Sequence, residues 1–270
     1  MSKTPKFFAW LALIVIGFYL GLTYLPQIVG TCMDGECGFT TGEIAVSFAL
    51  PLSFIALPIV LEMVGYRKNL AQALNDIGII RFNWAGIRVA LGYVAPLTIF
   101  LPLLAILTNS TVALQPHWEW RLVNILLVNG FAEEIMMRGF VFRHLRTGRT
   151  FWRAAALSTL FFAIYHLPII LSLGLVVGIM AVVVAIPLGF LTAYAYERGT
   201  NTIWGPALLH AANNALFMLF VFPEAIQATT SSLYFLFGIG LSIILCVRAY
   251  RKGYARDVVS VVPQAGVASA

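Results

Sequence analysis

The sequence predicts an all-α fold, a polytopic integral membrane helix bundle with about eight transmembrane helices. Composition is the first reason. Of the 270 residues, 60% are hydrophobic and only 10% are charged, with a mean hydropathy of +0.90. Soluble domains usually carry about 25% charged residues. A chain this apolar cannot bury its surface in one water-soluble core, so lipid must be its solvent.

The second reason is a series of apolar runs, each near the roughly 20 residues that a helix needs to cross the hydrocarbon core. These runs cover about residues 7–28, 44–65, 86–107, 122–142, 153–171, 174–196, 202–222 and 233–250. The first has no small-residue cleavage site behind it, which predicts a retained helix rather than a signal peptide. The polar stretch 67–84 repeats Leu and Ile at helical spacing, which predicts a helix lying in the membrane interface.

Charge in the short loops predicts the orientation of the helices. The Lys and Arg residues near 3–6, 67–68, 143–153, 198 and 248–256 all fall on one side of the membrane if the N-terminus is cytoplasmic. The positive-inside rule therefore places both termini in the cytoplasm, for a multi-pass protein expected in a bacterial inner membrane. The same rule explains the net charge of +6, so no nucleic-acid partner is expected.

The three cysteines leave their chemistry open. Cys32 and Cys37 flank a short polar loop and could form a disulfide if that loop faces an oxidising compartment, or could remain free thiols. Cys246 lies in the last apolar run. A single CxxxxC without histidines is a weak metal signal.

Polar side chains inside three apolar runs are the main functional signal. They are Glu133 and Glu134 in FAEEIMMRGF, His166 in FFAIYHLP, and His210 with Asn214 in LLHAANNALF. A charge at bilayer depth costs at least roughly 2.5–3.5 kcal/mol, so two adjacent carboxylates there are not packing residues. Together these groups are expected to form one buried reactive site.

Spacing divides the roles of the two glutamates. Glu134 and Arg138 are four residues apart, so they share a helix face and can pair, which lowers the cost of burying both. Glu133 is turned by about 100° from Glu134. We therefore predict that Glu134 with Arg138 is structural and that Glu133 is the carboxylate that accepts a proton.

The other two runs repeat the four-residue spacing, with Phe162 before His166 and His210 before Asn214. Phe162 is expected to pack and shape the site, and Asn213 could serve in place of Asn214. The set can activate a water and stabilise an oxyanion, as hydrolysis of a carbonyl compound requires. Glu133, His166 and His210 could instead coordinate a divalent metal such as zinc.

Three motifs in order give a family resemblance. EEIMMR matches an EExxxR motif, 162–166 matches FxxxH and 210–214 matches HxxxN. The chain thereby resembles the CPBP family of intramembrane proteases, also called Abi, which includes the type II CAAX prenyl endopeptidases and bacteriocin-processing proteins. The motifs span about 133–214, roughly the core of that family, and the flanking runs carry no specific match.

The resemblance implies an intramembrane endopeptidase acting on a peptide or membrane-anchored protein. Glu133 and His166 would position the attacking water, and His210 and Asn214 would hold the oxyanion. The family is also often labelled as metalloproteases. Residues 1–252 would form the protease domain, with its motif core at about 122–222, and 253–270 a disordered cytoplasmic tail.

Two rival functions use the same residues. Intramembrane Glu and His also serve proton relays, so a proton-coupled transporter is an alternative. The chain has no repeated half and no matched pair of broken helices, which such transporters often show. The second rival function is that of a catalytically inactive immunity or scaffold protein with the same fold.

Three further groups are expected to be ordinary surface residues. Glu62, near the end of an apolar run, is predicted to reach the membrane interface. His144, in a basic loop, is predicted to be solvated. Glu197 and Arg198 are predicted to form an interfacial pair.

Overall fold

The computed structural model describes residues 41–167, 170, 175–251 and 254. These are mostly helical. The α-helices in chain order are α1 (Thr41–Gly65), α2 (Leu70–Ile77), α3 (Trp84–Leu107), α4 (Trp118–Ile125), α5 (Arg143–Arg146), α6 (Phe151–His166), α7 (Leu175–Arg198), α8 (Trp204–Met218) and α9 (Glu224–Arg251). Strands β1 (Ala113–Leu114) and β2 (Phe220–Val221) form one short antiparallel pair. The predicted span 7–28, the Cys32–Cys37 loop and the tail 255–270 lie outside the described residues.

Between α4 and α5 the chain stays helical but changes its winding. Leu126–Ala132 and Ile135–Phe142 are π-helical, and Glu133 and Glu134 lie between them. The sequence predicted one span over 122–142, and the observed helix runs on from 118 to 146. Stretches of π-helix inside an α-helix often occur at functional sites.

Three described helices are long and apolar enough to cross a membrane: Trp84–Leu107, Gly178–Arg198 and Glu224–Arg251. The protein is therefore a helical membrane protein, while the total of eight spans remains a prediction. Helices α6 and α8 are short, with 16 and 15 residues. The helical stretch 118–146 is less apolar than these three helices, because it carries buried charges such as Glu133, Glu134 and Arg138.

Helix α7 is the centre of the described bundle. Within the most apolar stretch of each helix, about 50% of α7 is buried inside the protein, against 28% of α3 and 22% of α9. One core cluster packs Ala185 and Tyr196 of α7 against apolar residues of α1, α5, α6 and the π-helical segments. A second core cluster packs Leu188 and Leu191 of α7 against apolar residues of α3, α8 and α9.

Small residues allow a close helix contact between α3 and α8. A Cβ added at Gly205 would lie 2.6–2.9 Å from the backbone atoms of Gly86. Small residues at such crossings are typical of helix packing in membranes, where dispersion rather than the hydrophobic effect drives association. This crossing brings α3 alongside the helix that carries His210.

The helix predicted in the polar stretch 67–84 is present as α2, and its place in the membrane interface stays a prediction. Asn69 caps it through a reciprocal capping box with Gln72, which satisfies free backbone donors at its start. Gly78 ends it with a φ of 94°, a left-handed conformation that glycine adopts without strain. Leu70 is 52% exposed, whereas Ala73 and Ile77 are buried, so one side of the helix packs against the protein.

Glu62 and His144, predicted to be ordinary surface residues, are buried instead. Glu62 is fully buried and accepts hydrogen bonds from Arg143, from His144 at 2.6 Å and from Lys68 at 2.7 Å. The His144 side chain is only 6% exposed. These predictions were wrong because Arg143 and His144 reach Glu62 from far along the chain.

Glu197 was assigned the wrong partner. Its carboxylate takes two hydrogen bonds from Arg146, at 2.9 and 3.2 Å, and both residues are buried. A guanidinium matches a carboxylate in this two-pronged geometry. Arg198, which follows in sequence, is exposed.

Candidate active site

The residues singled out in the sequence come from three helical segments that meet inside the bundle. Glu133 and Glu134 are 7% and 0% exposed, and Arg138 and His210 are 0% and 2% exposed. His166 is half-buried at the end of α6. The described helices therefore enclose these charges, as expected for polar groups at membrane depth.

Phe162 lies among the charged groups. Its ring is 4.4 Å from the His166 ring and 5.6 Å from the His210 ring, edge to face in both cases. The Arg138 guanidinium lies 4.9 Å from the same ring centre, a cation–π contact. Phe162 is fully buried, so this one side chain contacts both imidazoles and the guanidinium inside the protein.

Glu134 holds two partners. Its Oε2 is 3.2 Å from Arg138 Nε, and its Oε1 accepts from His210 Nδ1 at 2.7 Å. The four-residue spacing predicted the first contact but not the second. Glu134 thus connects a structural ion pair to a site histidine.

Arg138 is fixed from its other side by α7. Its Nη2 donates to the carbonyl of Gly189 at 3.2 Å and to the hydroxyl of Thr192. Thr192 is fully buried. Neither α7 residue stands out in the sequence, because a Gly and a Thr in an apolar helix are common packing residues in membrane proteins.

Glu133 is held at one oxygen only. Asn129, one turn earlier, donates to Oε1 at 3.1 Å. The other oxygen, Oε2, is buried and has no hydrogen-bond partner among the described residues, and it lies 3.8 Å from His210 Nε2. A buried carboxylate oxygen without a partner is costly, and it is the arrangement expected of a group that binds a water or a substrate.

In both histidines, the hydrogen-bond partner of Nδ1 shows that this nitrogen carries a proton. His166 Nδ1 lies 2.8 Å from the carbonyl oxygen of Phe162, and a carbonyl only accepts, so Nδ1 carries the proton. In neutral His166 the lone pair is then on Nε2. His210 Nδ1 likewise donates to the carboxylate of Glu134.

Asn213 and Asn214 occupy different surroundings. Asn213 is 3% exposed and accepts from Tyr93 at 2.8 Å, while Asn214 is half-buried and accepts from the Asn213 amide at 3.0 Å. The buried neighbour thus makes the packing contacts, and the side chain in the HxxxN position is the more accessible one. Asn129 and Tyr93 are polar partners that the motif pattern did not single out.

The metal hypothesis can be tested on geometry. Within the described parts of the chain, no three His, Cys, Asp or Glu side chains are grouped so as to hold a metal ion. His166 and His210 each use Nδ1 in a bond within the protein, and Glu133 uses one oxygen likewise. This leaves Nε2 of both rings and Oε2 of Glu133, the atoms that would ligate a metal when the other atom is bonded within the protein, so a zinc site on these three residues stays a prediction.

Comparison with known protein families bears on the same region. The model of the type II CAAX prenyl endopeptidase Rce1-like family matches residues 115–216. The resemblance to the CPBP proteases is confirmed. The matched segment includes all three motifs and the helices that bring them together, which supports a membrane-embedded peptidase. No curated protein matches the chain.

Proposed function

We propose that this protein is an intramembrane endopeptidase in which Glu133 and His166 activate a water, and His210 with Asn214 bind the oxyanion. The observation that carries the proposal is the Glu133 carboxylate. One oxygen is fixed by Asn129, and the other is buried, unpartnered among the described residues and next to His210. A carboxylate so arranged is suited to receive a proton from water.

The first step is attack on the peptide carbonyl. The water oxygen forms a bond to the carbonyl carbon as one of its protons passes to Glu133 Oε2. His166 Nε2, which holds the lone pair when Nδ1 donates to Phe162, accepts a hydrogen bond from the same water and orients it. The carbonyl oxygen becomes negatively charged.

His210 and Asn214 are suited to receive that negative charge. With Nδ1 donating to Glu134, His210 needs a second proton, on Nε2, to donate to the oxyanion. The carboxylates of Glu134 at 2.7 Å and Glu133 at 3.8 Å both attract a positively charged ring. A carboxylate that orients and stabilises an imidazolium in this way is a recurring feature of hydrolases.

The second step breaks the peptide bond. Glu133 returns its proton to the leaving nitrogen, the C–N bond breaks, and the remaining proton of the new carboxyl group passes through water to the amine product, which leaves a carboxylate and an ammonium group. Arg138 takes no part in these transfers. Its charge offsets that of Glu134, so the buried site holds two carboxylates without a large excess of negative charge. No step goes through a metal ion.

The substrate class is a peptide or a membrane-anchored protein with its scissile bond near the membrane. We propose that the protein lies in a bacterial inner membrane, and the charge pattern of the loops supports cytoplasmic termini. Proton-coupled transport uses the same residue types, but no contact in the described residues favours it over hydrolysis.

The test compares membranes that contain the wild-type protein with membranes that contain Glu133→Gln. New peptide termini are identified by mass spectrometry, which detects cleavage of any protein in the membrane. Glu119→Gln is the matched control, since Glu119 is exposed on the same continuous helix. We expect a set of termini that requires wild type or Glu119→Gln and is absent with Glu133→Gln. Identical termini in all three membranes would refute the proposal.

A further inference from the structure

A chain of hydrogen bonds links α3 to the candidate oxyanion donor on α8. The Tyr93 hydroxyl donates to Oδ1 of Asn213 at 2.8 Å, and the Asn213 amide nitrogen donates to Oδ1 of Asn214 at 3.0 Å. Tyr93 is 1% exposed and Asn213 is 3% exposed. The hydrogen bonds of two buried polar side chains thus lead to Asn214, whose amide the proposed mechanism uses.

A glycine on α9 leaves room for the hydrogen bonds between Tyr93, Asn213 and Asn214. A Cβ added at Gly238 on α9 would lie 3.0 Å from the Tyr93 hydroxyl and 3.9 Å from Asn213 Oδ1. On the same helix, the Tyr234 hydroxyl donates to the backbone carbonyl of Asn213 at 2.9 Å. Helix α9 therefore fixes the backbone of Asn213, while Tyr93 fixes its side chain.

The direction of the hydrogen bonds matters for an oxyanion. An amide side chain offers two donors at nitrogen and an acceptor at oxygen. Since Asn213 donates to Oδ1 of Asn214, the Asn214 NH₂ group is left to donate elsewhere. If Asn213 were turned over, its oxygen would attract that NH₂ group, and Asn214 would present its own oxygen to a negative charge.

We propose that Tyr93 and Asn213 are positioning residues that set the orientation of the Asn214 amide so that its NH₂ group faces the reacting carbonyl oxygen. This inference rests on the proposed peptidase function. Tyr93 touches no reacting atom and acts through Asn213. Because the oxyanion forms only after the substrate has bound, the arrangement raises kcat and leaves substrate binding unchanged.

Tyr93→Phe tests the relay, with Tyr234→Phe as its matched control. Both changes remove one hydroxyl from a buried tyrosine that contacts Asn213, and only the first removes the bond to the side chain. Loss of an oxyanion donor costs about a hundredfold or more in kcat, and a donor that is misoriented only part of the time is expected to cost about tenfold. We expect that loss in Tyr93→Phe with KM unchanged, and near wild-type kcat in Tyr234→Phe.

Asn213→Asp is the second variant. An aspartate keeps the acceptor for Tyr93 but has no NH₂ group to donate, so Asn214 is expected to turn its own amide towards residue 213. The loss in kcat should then approach that of Asn214→Ala, about a hundredfold. Thermal unfolding of each variant in the same detergent identifies any that fails to fold.

A structural readout keeps the inference separate from the proposed function. With ¹⁵N-labelled asparagine, the Asn214 side-chain resonance is identified by its loss in Asn214→Asp. Tyr93→Phe should shift that resonance and Tyr234→Phe should leave it in place. Equal effects of both tyrosine variants on the resonance, or no effect of either, would overturn the relay whether or not the protein cleaves peptides. Wild-type-like cleavage by Glu133→Gln would instead refute the peptidase mechanism.

Discussion

The two adjacent glutamates have different partners, and this difference is the main finding at the residue scale. Glu134 is fully buried between Arg138 and His210. Glu133 has one oxygen held by Asn129 and one without a partner among the described residues. One carboxylate is therefore compensated by the protein, and the other keeps an oxygen without such a partner, as the proposed role of Glu133 as a base requires.

This difference predicts opposite effects of two substitutions. Removing one member of a buried ion pair costs about 3–5 kcal/mol, because the remaining charge is uncompensated. Arg138→Ala or Glu134→Ala should therefore lower the melting temperature strongly, and Glu134→Ala should also lose activity because His210 loses its orienting partner. Glu133→Gln should lose activity with a melting temperature close to wild type. A destabilised Glu133→Gln beside a stable, inactive Glu134→Ala would mean that the two roles are reversed.

Local spacing made part of this site predictable from sequence. The pairing of Glu134 with Arg138 follows from four-residue spacing on one helix. The contact of Glu134 with His210 joins residues 76 positions apart, and no local pattern encodes it. Asn129 could have been found by the same four-residue rule, since it precedes Glu133 by one helical turn.

At the scale of helical elements, a second buried polar cluster joins α1 to α5. Glu62 on α1 accepts from Arg143, His144 and Lys68. The sequence indicated an interfacial position for Glu62 because a carboxylate near the end of an apolar run usually reaches water. Its partners Arg143 and His144 were missed because they lie 81 and 82 residues away.

This cluster predicts a pH dependence of stability. Burial lowers the pKa of His144 from its ordinary value of 6.5 to about 4. The folded protein thus keeps His144 neutral where the unfolded chain would protonate it. The contribution of His144 to stability is complete above pH 6.5 and is lost as the pH falls towards about 4.

His144→Gln should remove that dependence, since glutamine can still donate to Glu62 but does not titrate. The measurement is the melting temperature of wild type and variant across this pH range, with His117→Gln as a control at an exposed histidine. The wild-type curve should fall more steeply than the His144→Gln curve, and His117→Gln should follow wild type. Parallel curves for all three proteins would contradict the role of His144.

At the scale of the whole molecule, the loops predicted to share a side of the membrane meet in the structure. Strands β1 and β2 pair the chain after α3 with the chain after α8. At the other end, the backbone nitrogen of Ile203 donates to the carbonyl of Gly78 at 3.1 Å. The pairing of loop ends was thus predictable from charge, whereas the two-stranded ribbon was not, because four residues give no strand pattern.

Cysteine labelling tests which end faces the cytoplasm. Arg81 and Ala225 are both exposed and lie at opposite ends of the bundle by the predicted topology. In a background with Cys32, Cys37 and Cys246 replaced by serine, Arg81→Cys should react only from the cytoplasmic side and Ala225→Cys only from the opposite side. Reaction of both cysteines from one side would contradict the predicted orientation. Thr230, which the predicted spans put in a loop, is unsuitable because it is buried in α9.

The bundle as a whole brings groups from three distant segments to one place, where we propose that they act together on one water. The cleavage rate of a substrate peptide in proteoliposomes, measured for Glu133→Gln, His166→Ala and the double variant, tests this joint action. Loss of a general base or water-positioning group costs about a hundredfold or more, and residues that act as a unit are non-additive. Each single variant should lose at least that much, with the double variant little worse. Losses that multiply in full, or substantial activity in Glu133→Gln, would contradict it.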